Sequence, residues 1–130
     1  MSGAARSKLL VVLVEDAREC STALEIALSR SGMFVVRAFG SAEEALESMR
    51  TAPPYAVVTD IHLPGMSGLA LIRELRASQA APQLRIIAVS GGARRELEAE
   101  SVSAGADAFF AKPYSPKEIC SVLEGMVDDD

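Results

Sequence analysis

The chain has 130 residues, 49% apolar and 24% charged, the balance of a single globular domain with material for a real core. Its net charge of −5 is spread through the sequence, which argues against nucleic acid as a direct partner, because neutralising phosphates needs clustered Lys and Arg. The longest apolar run, Leu9–Val14, is far too short to cross a bilayer and leads into two acids, so no membrane insertion or signal peptide is expected.

Short β-rich runs alternate with amphipathic helical stretches five times. Leu9–Val14 is continuously apolar, as in a strand buried on both faces of a parallel sheet. A helix follows with Cys20, Ala23, Leu24, Ala27 and Leu28 as its inward stripe, and Gly32 stands where it ends. Met33–Phe39 reads as the second strand. Ser41 and Glu44 form a capping box for a helix that carries Ala45, Leu46 and Met49 and is broken at Pro53-Pro54.

Tyr55–Thr59 is the third strand and ends in Asp60, and Ile61–Gly68 is a loop holding Pro64, Gly65 and Gly68. Leu71, Ile72 and Leu75 are the buried stripe of the third helix. Arg85–Val89 is the fourth strand and runs into Ser90-Gly91-Gly92, a pair of glycines expected to leave that loop mobile. The helix after it, Ala93–Ser103, has almost only Leu97 and Val102 as large apolar residues and is expected to be exposed, with Arg94 and Arg95 on a solvated face.

Gly105 ends the fourth helix, and Ala106–Ala111 is the fifth strand, leading to Lys112-Pro113. Phe109 and Phe110 should face opposite sides of the sheet, one of them in the core. Ser115-Pro116-Lys117-Glu118 is an N-terminal helix signature for the last stripe, Ile119, Val122, Leu123 and Met126. Asp128, Asp129 and Asp130 oppose that helix's dipole and should fray. The expected division is a tail over 1–7, one domain over 8–127 and an acidic tail over 128–130. Five βα units in order imply an α/β domain with a parallel sheet and helices on both faces.

In an open parallel sheet, ligands gather beyond the carboxyl ends of the strands. There the first strand delivers Glu15 and Asp16, the third Asp60, the fourth Ser90 and the fifth Lys112. Three carboxylates this close repel unless a cation joins them, and an all-oxygen set favours Mg²⁺ or Mn²⁺ over zinc. Lys112 supplies a fixed positive charge able to pair with Asp60 or with a phosphoryl oxygen. Cys20 and Cys120 have no metal-ligand spacing and are expected to be buried free thiols of a cytoplasmic protein.

Val14-Glu15-Asp16, the run from Thr59 through Asp60 and Pro64 to Gly68, Val89-Ser90-Gly91, Ala104-Gly105-Ala106 and Lys112-Pro113 follow one another at strand ends. In that order and spacing the chain resembles the response-regulator receiver domains of two-component signalling, over roughly Lys8 to Val127. The resemblance implies a flavodoxin-like, doubly wound (βα)5 fold with strand order 2-1-3-4-5, which the receiver illustrates among general examples of this topology. It implies that Asp60 is the phosphoacceptor, that Asp16 binds Mg²⁺ directly and Glu15 through water, and that His62 offers its backbone carbonyl. Asp60 also belongs to the implied metal set. Ser90 would bond a phosphoryl oxygen, Lys112 would neutralise it, and Phe109 would be the switch aromatic beside Ser90.

By the same resemblance the phosphoryl donor is a sensor histidine kinase or a histidine phosphotransfer protein. The output is an unknown downstream protein, met through the fourth helix, fifth strand and fifth helix. The chain is expected to be a stand-alone signalling switch rather than an enzyme, catalysing only its own phosphorylation and slow dephosphorylation. The His62 side chain is a candidate only for positioning or excluding water in that second step. Rival readings are a phosphorylation-independent interaction module and an Asp-nucleophile phosphohydrolase. A flavin-phosphate site is disfavoured because Glu15-Asp16 stands where a Ser/Thr/Gly-rich loop would be needed.

Overall fold

The computed structural model describes residues 7–78, 83–92 and 94–128. Its order is β1 (Leu9–Val14), α1 (Arg18–Arg30), β2 (Phe34–Phe39), α2 (Ala42–Thr51), β3 (Ala56–Asp60), α3 (Gly68–Ala77), β4 (Arg85–Ser90), α4 (Arg94–Ala104), β5 (Ala108–Ala111) and α5 (Pro116–Asp128). The five strands form one parallel sheet in the order β2-β1-β3-β4-β5. This is the flavodoxin-like topology expected from the sequence. The chain reverses direction across the sheet after β1, so the switch point lies between β1 and β3.

Alternation along the strands explains the continuous apolar runs. Val12, Val14, Val57, Ile86 and Ala88 face α2, α3 and α4 in one core layer, while Val11, Leu13, Val58, Ile87 and Val89 face α1 and α5 in the other. Leu24, Leu28, Ile119 and Leu123 close the second layer, each at 2% exposure or less. Phe109 packs into the first layer and Phe110 into the second, as alternation requires, but both are only partly buried.

Several expected boundaries and stripes shift. On α1 the inward face carries Ser21, Leu24 and Leu28, whereas Ala23 is exposed and Cys20 only partly buried. Ser21 is accommodated because its hydroxyl donates to the Arg18 carbonyl. β5 begins at Ala108 rather than Ala106, since Asp107 spends its N–H on the Ile86 carbonyl in the turn before the strand. Tyr55 and Met33 likewise precede their strands although both are hydrogen-bonded to β1 or its approach. On α4, Val102 is 56% exposed and the buried positions are Ser101 and Ala104. Ala93, Asp129, Asp130 and residues 1–6 lie outside the described residues, as do the side chains of Arg94 and Asp128, so the expected tails and the Arg94 face are not placed.

The loop after β3 ends one residue earlier than its glycines suggest. Ser67 caps α3 by accepting from the Ala70 N–H, and Gly68 is the first helical residue. A Cβ on Gly68 would lie 2.0 Å from the Asp60 carbonyl oxygen. The absent side chain therefore lets α3 start against the backbone that presents Asp60, with Gly68 N–H donating to the Ile61 carbonyl. At the loop's tip, the Glu43 carboxylate from α2 accepts from the Met66 N–H at 3.0 Å. Gly68→Ala is expected to destabilise the protein by about 2–3 kcal/mol through forced backbone displacement. Gly125→Ala, in exposed helix with nothing near its would-be Cβ, should instead stabilise by about 1 kcal/mol. Urea denaturation of both variants measures this opposition directly.

Candidate functional site

Asp60 is the last residue of β3 and Ser90 the last of β4, while Glu15 and Lys112 directly follow β1 and β5. The sheet register brings them level. Val14 pairs with Thr59, which sets Glu15 beside Asp60, and Ser90 pairs with Ala111, which sets Lys112 one step beyond. Backbone bonds continue past the strands, from Glu15 N–H to the Phe39 carbonyl, Ile61 N–H to Val89 and Lys112 N–H to Ser90. The site's geometry is thus a property of the ladder rather than of loose loops.

Lys112 Nζ donates to Asp60 Oδ2 at 2.8 Å and to Glu15 Oε1 at 2.7 Å. Asp60 is 5% and Glu15 8% exposed. The remaining oxygens are also engaged: Asp60 Oδ1 accepts from the His62 N–H at 3.1 Å and Glu15 Oε2 from the Ala17 N–H at 3.0 Å. Both carboxylates are therefore fixed in rotation. Thr59 is fully buried beside them and bonds the Asp60 carbonyl.

Burial raises the Glu15 carboxyl above its ordinary range and the Asp60 charge adds to this, while the Lys112 ammonium and the Ala17 N–H pull the other way. For Lys112, burial alone would favour the neutral amine. The hydrogen bonds and charges of Asp60 and Glu15 overcome it, so the ammonium is held above its ordinary value. Lys112 is thus a permanent cation.

One oxygen each from Glu15, Asp16 and Asp60 lies within 4.8 Å of the others. Asp16 is the exposed member, open to a ligand from solvent. This is the candidate acidic group expected from the sequence, and its hard, all-oxygen donor set fits Mg²⁺ better than a soft metal. Ser90 is buried at 1% exposure, and its Oγ accepts from the Gly92 N–H at 3.1 Å. A Cβ on Gly92 would meet Leu97 Cδ1 at 2.8 Å and His62 Nε2 at 3.0 Å. The second glycine thus makes room for a contact between the two loops beside the site, at an ordinary φ. His62 itself is exposed, and Phe109 lies opposite Ala88 in the ladder, two residues before Ser90.

The chain matches the response regulator receiver domain family across residues 11–124. It belongs to that family. It is 36% identical over 105 residues to the C4-dicarboxylate transport transcriptional regulatory protein DctD of Rhizobium meliloti (strain 1021), covering 81% of this receiver and 22% of that protein. It is 33% identical over 109 residues to the DNA-binding response regulator MtrA of Mycobacterium tuberculosis (strain ATCC 25618 / H37Rv), covering 84% and 46%. The receiver therefore spans from about a fifth to under a half of the length of these curated relatives. Among solved structures, one assigned as a response regulator from Chloroflexus aurantiacus J-10-fl superposes with a TM-score of 0.87 at 26% identity, covering 94% of this chain and 99% of that one. Chemotaxis response regulator CheY4 of Vibrio cholerae shares the fold, with a TM-score of 0.82 at 19% identity, over 92% of this chain and 99% of its own. As a receiver domain, the protein is a switch of two-component signalling.

The ladder thus gathers Glu15, Asp16, Asp60, Ser90 and Lys112, the residues singled out from the sequence. Sequence reasoning missed Glu43, whose only signal was an ordinary first-turn acid, and Tyr114, which follows the Lys112-Pro113 pair. Tyr114 is half-buried against the α1–α5 layer. Burial first, then the nearby Cys20, Glu15 and Asp60 charges, push its phenol up to about 12, with Lys112 opposing.

Two measurements follow from this geometry. Lys112→Met leaves the buried Asp60 and Glu15 carboxylates as neighbours without their shared ammonium. It should cost about 2 kcal/mol in a urea titration at neutral pH without divalent ions, discounted for the partial exposure of the lysine. For Tyr114 the folded state keeps its proton while the unfolded phenol ionises, so the unfolded state binds fewer protons between about pH 10 and 12. The stability of the native protein should fall across that window more steeply than that of Tyr114→Phe, as read from paired urea midpoints.

Proposed function

We propose that Asp60 is the phosphoacceptor of this receiver and that the residues around it catalyse only its own phosphorylation and slow dephosphorylation. The observation that carries this reading is the Lys112 ammonium, held 2.8 Å from a buried Asp60 carboxylate that is rotationally fixed at both oxygens. A carboxylate oxygen of Asp60 attacks the phosphorus of a phosphohistidine. A P–O bond forms as the donor's P–N bond breaks, and the departing imidazole keeps the electron pair and is protonated from solvent.

Mg²⁺, when bound, supplies charge neutralisation to the transferring phosphoryl group. Asp16 and Asp60 would hold it directly, Glu15 through water and His62 through its backbone carbonyl. Lys112 would neutralise phosphoryl oxygen charge, and its hydrogen bonds to both acids keep it charged at any physiological pH. The Ser90 hydroxyl, already oriented by the Gly92 N–H, donates to a phosphoryl oxygen once the group has arrived. Phe109 then responds to the movement of Ser90 by packing alone, since Phe has no hydroxyl to bond outward. The donor is a sensor histidine kinase or a histidine phosphotransfer protein, and the output is a protein met through α4, β5 and α5. Among the described residues, no helix is long and apolar enough to cross a membrane.

Incubation with acetyl phosphate and Mg²⁺ should add one phosphoryl group by intact mass, with no gain for Asp60→Asn or in the presence of a chelator. Ser90→Ala should still accept the group, because its hydroxyl bonds the phosphoryl only after transfer, and should bind the phosphoryl mimic beryllofluoride about tenfold more weakly in a titration, the loss of one hydrogen bond to a charged group. A folded, metal-bound protein that gains no mass would turn the reading to phosphorylation-independent binding.

A further inference from the structure

The segment between β3 and α3 starts just after Asp60 and contains His62, whose backbone carbonyl is one of the groups proposed for the metal. Its base is tied twice, by the His62 N–H donating to Asp60 Oδ1 at 3.1 Å and the Gly68 N–H donating to the Ile61 carbonyl at 2.9 Å. Leu63 and Met66 are partly buried against the core layer of α2, α3 and α4. Among the described residues, one hydrogen bond holds the stretch from Leu63 to Met66 to another element. The Met66 N–H donates to Glu43 Oε2 of α2 at 3.0 Å.

The backbone makes the seat for that carboxylate. Gly65 takes φ +75°, and a Cβ on it would lie 2.7 Å from Glu43 Oε2. A left-handed turn without a side chain therefore lets the carboxylate close on the next N–H. Glu43 in turn stands on a fixed post. Ser41 caps α2 by accepting from the Glu44 N–H, and Ala42 and Ala45 are fully buried. The Phe39 carbonyl, just before this turn, accepts from the Glu15 N–H of the acidic cluster at 3.0 Å. Glu44, also exposed, makes no hydrogen bond or ion pair to the loop from its side chain among the described residues.

Between the His62 and Met66 ties the chain has few soft torsions. Pro64 fixes its own φ and restricts Leu63 to extended backbone, so the stretch from the His62 carbonyl to Gly65 moves nearly as one piece. Gly65 is its free joint. Glu43 fastens the chain immediately beyond that joint.

We propose that Glu43 is a positioning residue for the metal: by fastening Met66 it sets the direction of the His62 carbonyl, and with it the affinity of the site for a divalent cation. This rests on the reading of Asp16, Asp60 and the His62 carbonyl as the metal's ligands. Glu43 acts through the shape of the loop rather than through its charge. An uncharged acceptor at the same reach therefore serves in its place, whereas loss of the acceptor frees the joint at Gly65.

Titration of the full chain with Mn²⁺, an ion suited to an all-oxygen site, tests this, with free metal read from its electron paramagnetic resonance signal. Asp16→Asn checks that the ion binds at the acidic cluster, and Glu43→Ala, Glu43→Gln and Glu44→Ala are compared with the native protein. Asp16, Glu43 and Glu44 are all exposed, so the variants leave the core intact. Glu43→Ala should bind Mn²⁺ about fivefold more weakly, a smaller loss than for a group bonded to a ligand directly, because Glu43 is exposed and acts along the loop. Glu43→Gln keeps an acceptor oxygen and should stay within about twofold of native, as should Glu44→Ala, which removes the same charge from the same helical turn. Without metal, hydrogen exchange over 62–67 should rise in Glu43→Ala and in neither of the other two. Native affinity in Glu43→Ala overturns the positioning role. An equal loss in Glu43→Gln or Glu44→Ala also overturns it, in favour of charge acting at long range. If Asp16→Asn binds Mn²⁺ as tightly as the native protein, the metal reading falls and the proposal with it; a loss in Asp16→Asn with none in Glu43→Ala overturns the proposal alone.

Discussion

Two carboxylates from neighbouring strands share one ammonium at the edge of the core, and much of the domain is arranged around keeping them there. At about 4 Å two such charges repel by about 4 kcal/mol at the effective dielectric of a protein surface. Here each is more than nine-tenths removed from water. The Lys112 ammonium offsets this, and every other carboxylate oxygen of the pair is met by a backbone N–H. Removing Lys112 leaves two buried carboxylates facing one another without their shared ammonium, which is why the cluster depends on that one residue.

The rigidity comes from the sheet. Val14, Thr59, Val89 and Ala111 stand near the ends of four adjacent strands in a continuous parallel register, so the residues beyond them are fixed relative to one another by the ladder. Two dense apolar layers, one on each face, lock that ladder in place. Smaller devices then aim the loops. Gly68 lets α3 begin against the Asp60 carbonyl, and Glu43 holds the Met66 N–H from across the loop. The result is a preorganised carboxylate at the one end of the domain where five chain segments meet.

The helices around the sheet are held unevenly. Among the described residues, α1, α3 and α5 are fastened by leucine and isoleucine faces, whereas α4 turns inward one leucine, one buried serine and one alanine, with a fork of hydrogen bonds from Arg76 on the turn that follows it.

The sequence by itself determined the five βα units, because apolar alternation and helix caps are local signals, and it determined which polar residues stand at strand ends, because each follows its apolar run directly. Glu15, Asp16, Asp60, Ser90 and Lys112 were legible for that reason. Only tertiary structure decided what they do to one another: that one lysine bridges Glu15 and Asp60, that Asp16 stays in solvent, and that Ser90 is already tied to Gly92. It also decided that Ser21 rather than Ala23 faces the core and that Val102 faces water, since an inward stripe made of small residues has almost no signature in hydrophobic periodicity. Arg76, Asp107 and Gly105 lie 29 and 31 residues apart along the chain and meet in one fork. A hydrogen-bond network between distant segments leaves no periodic trace in composition, so only the packed chain reveals it.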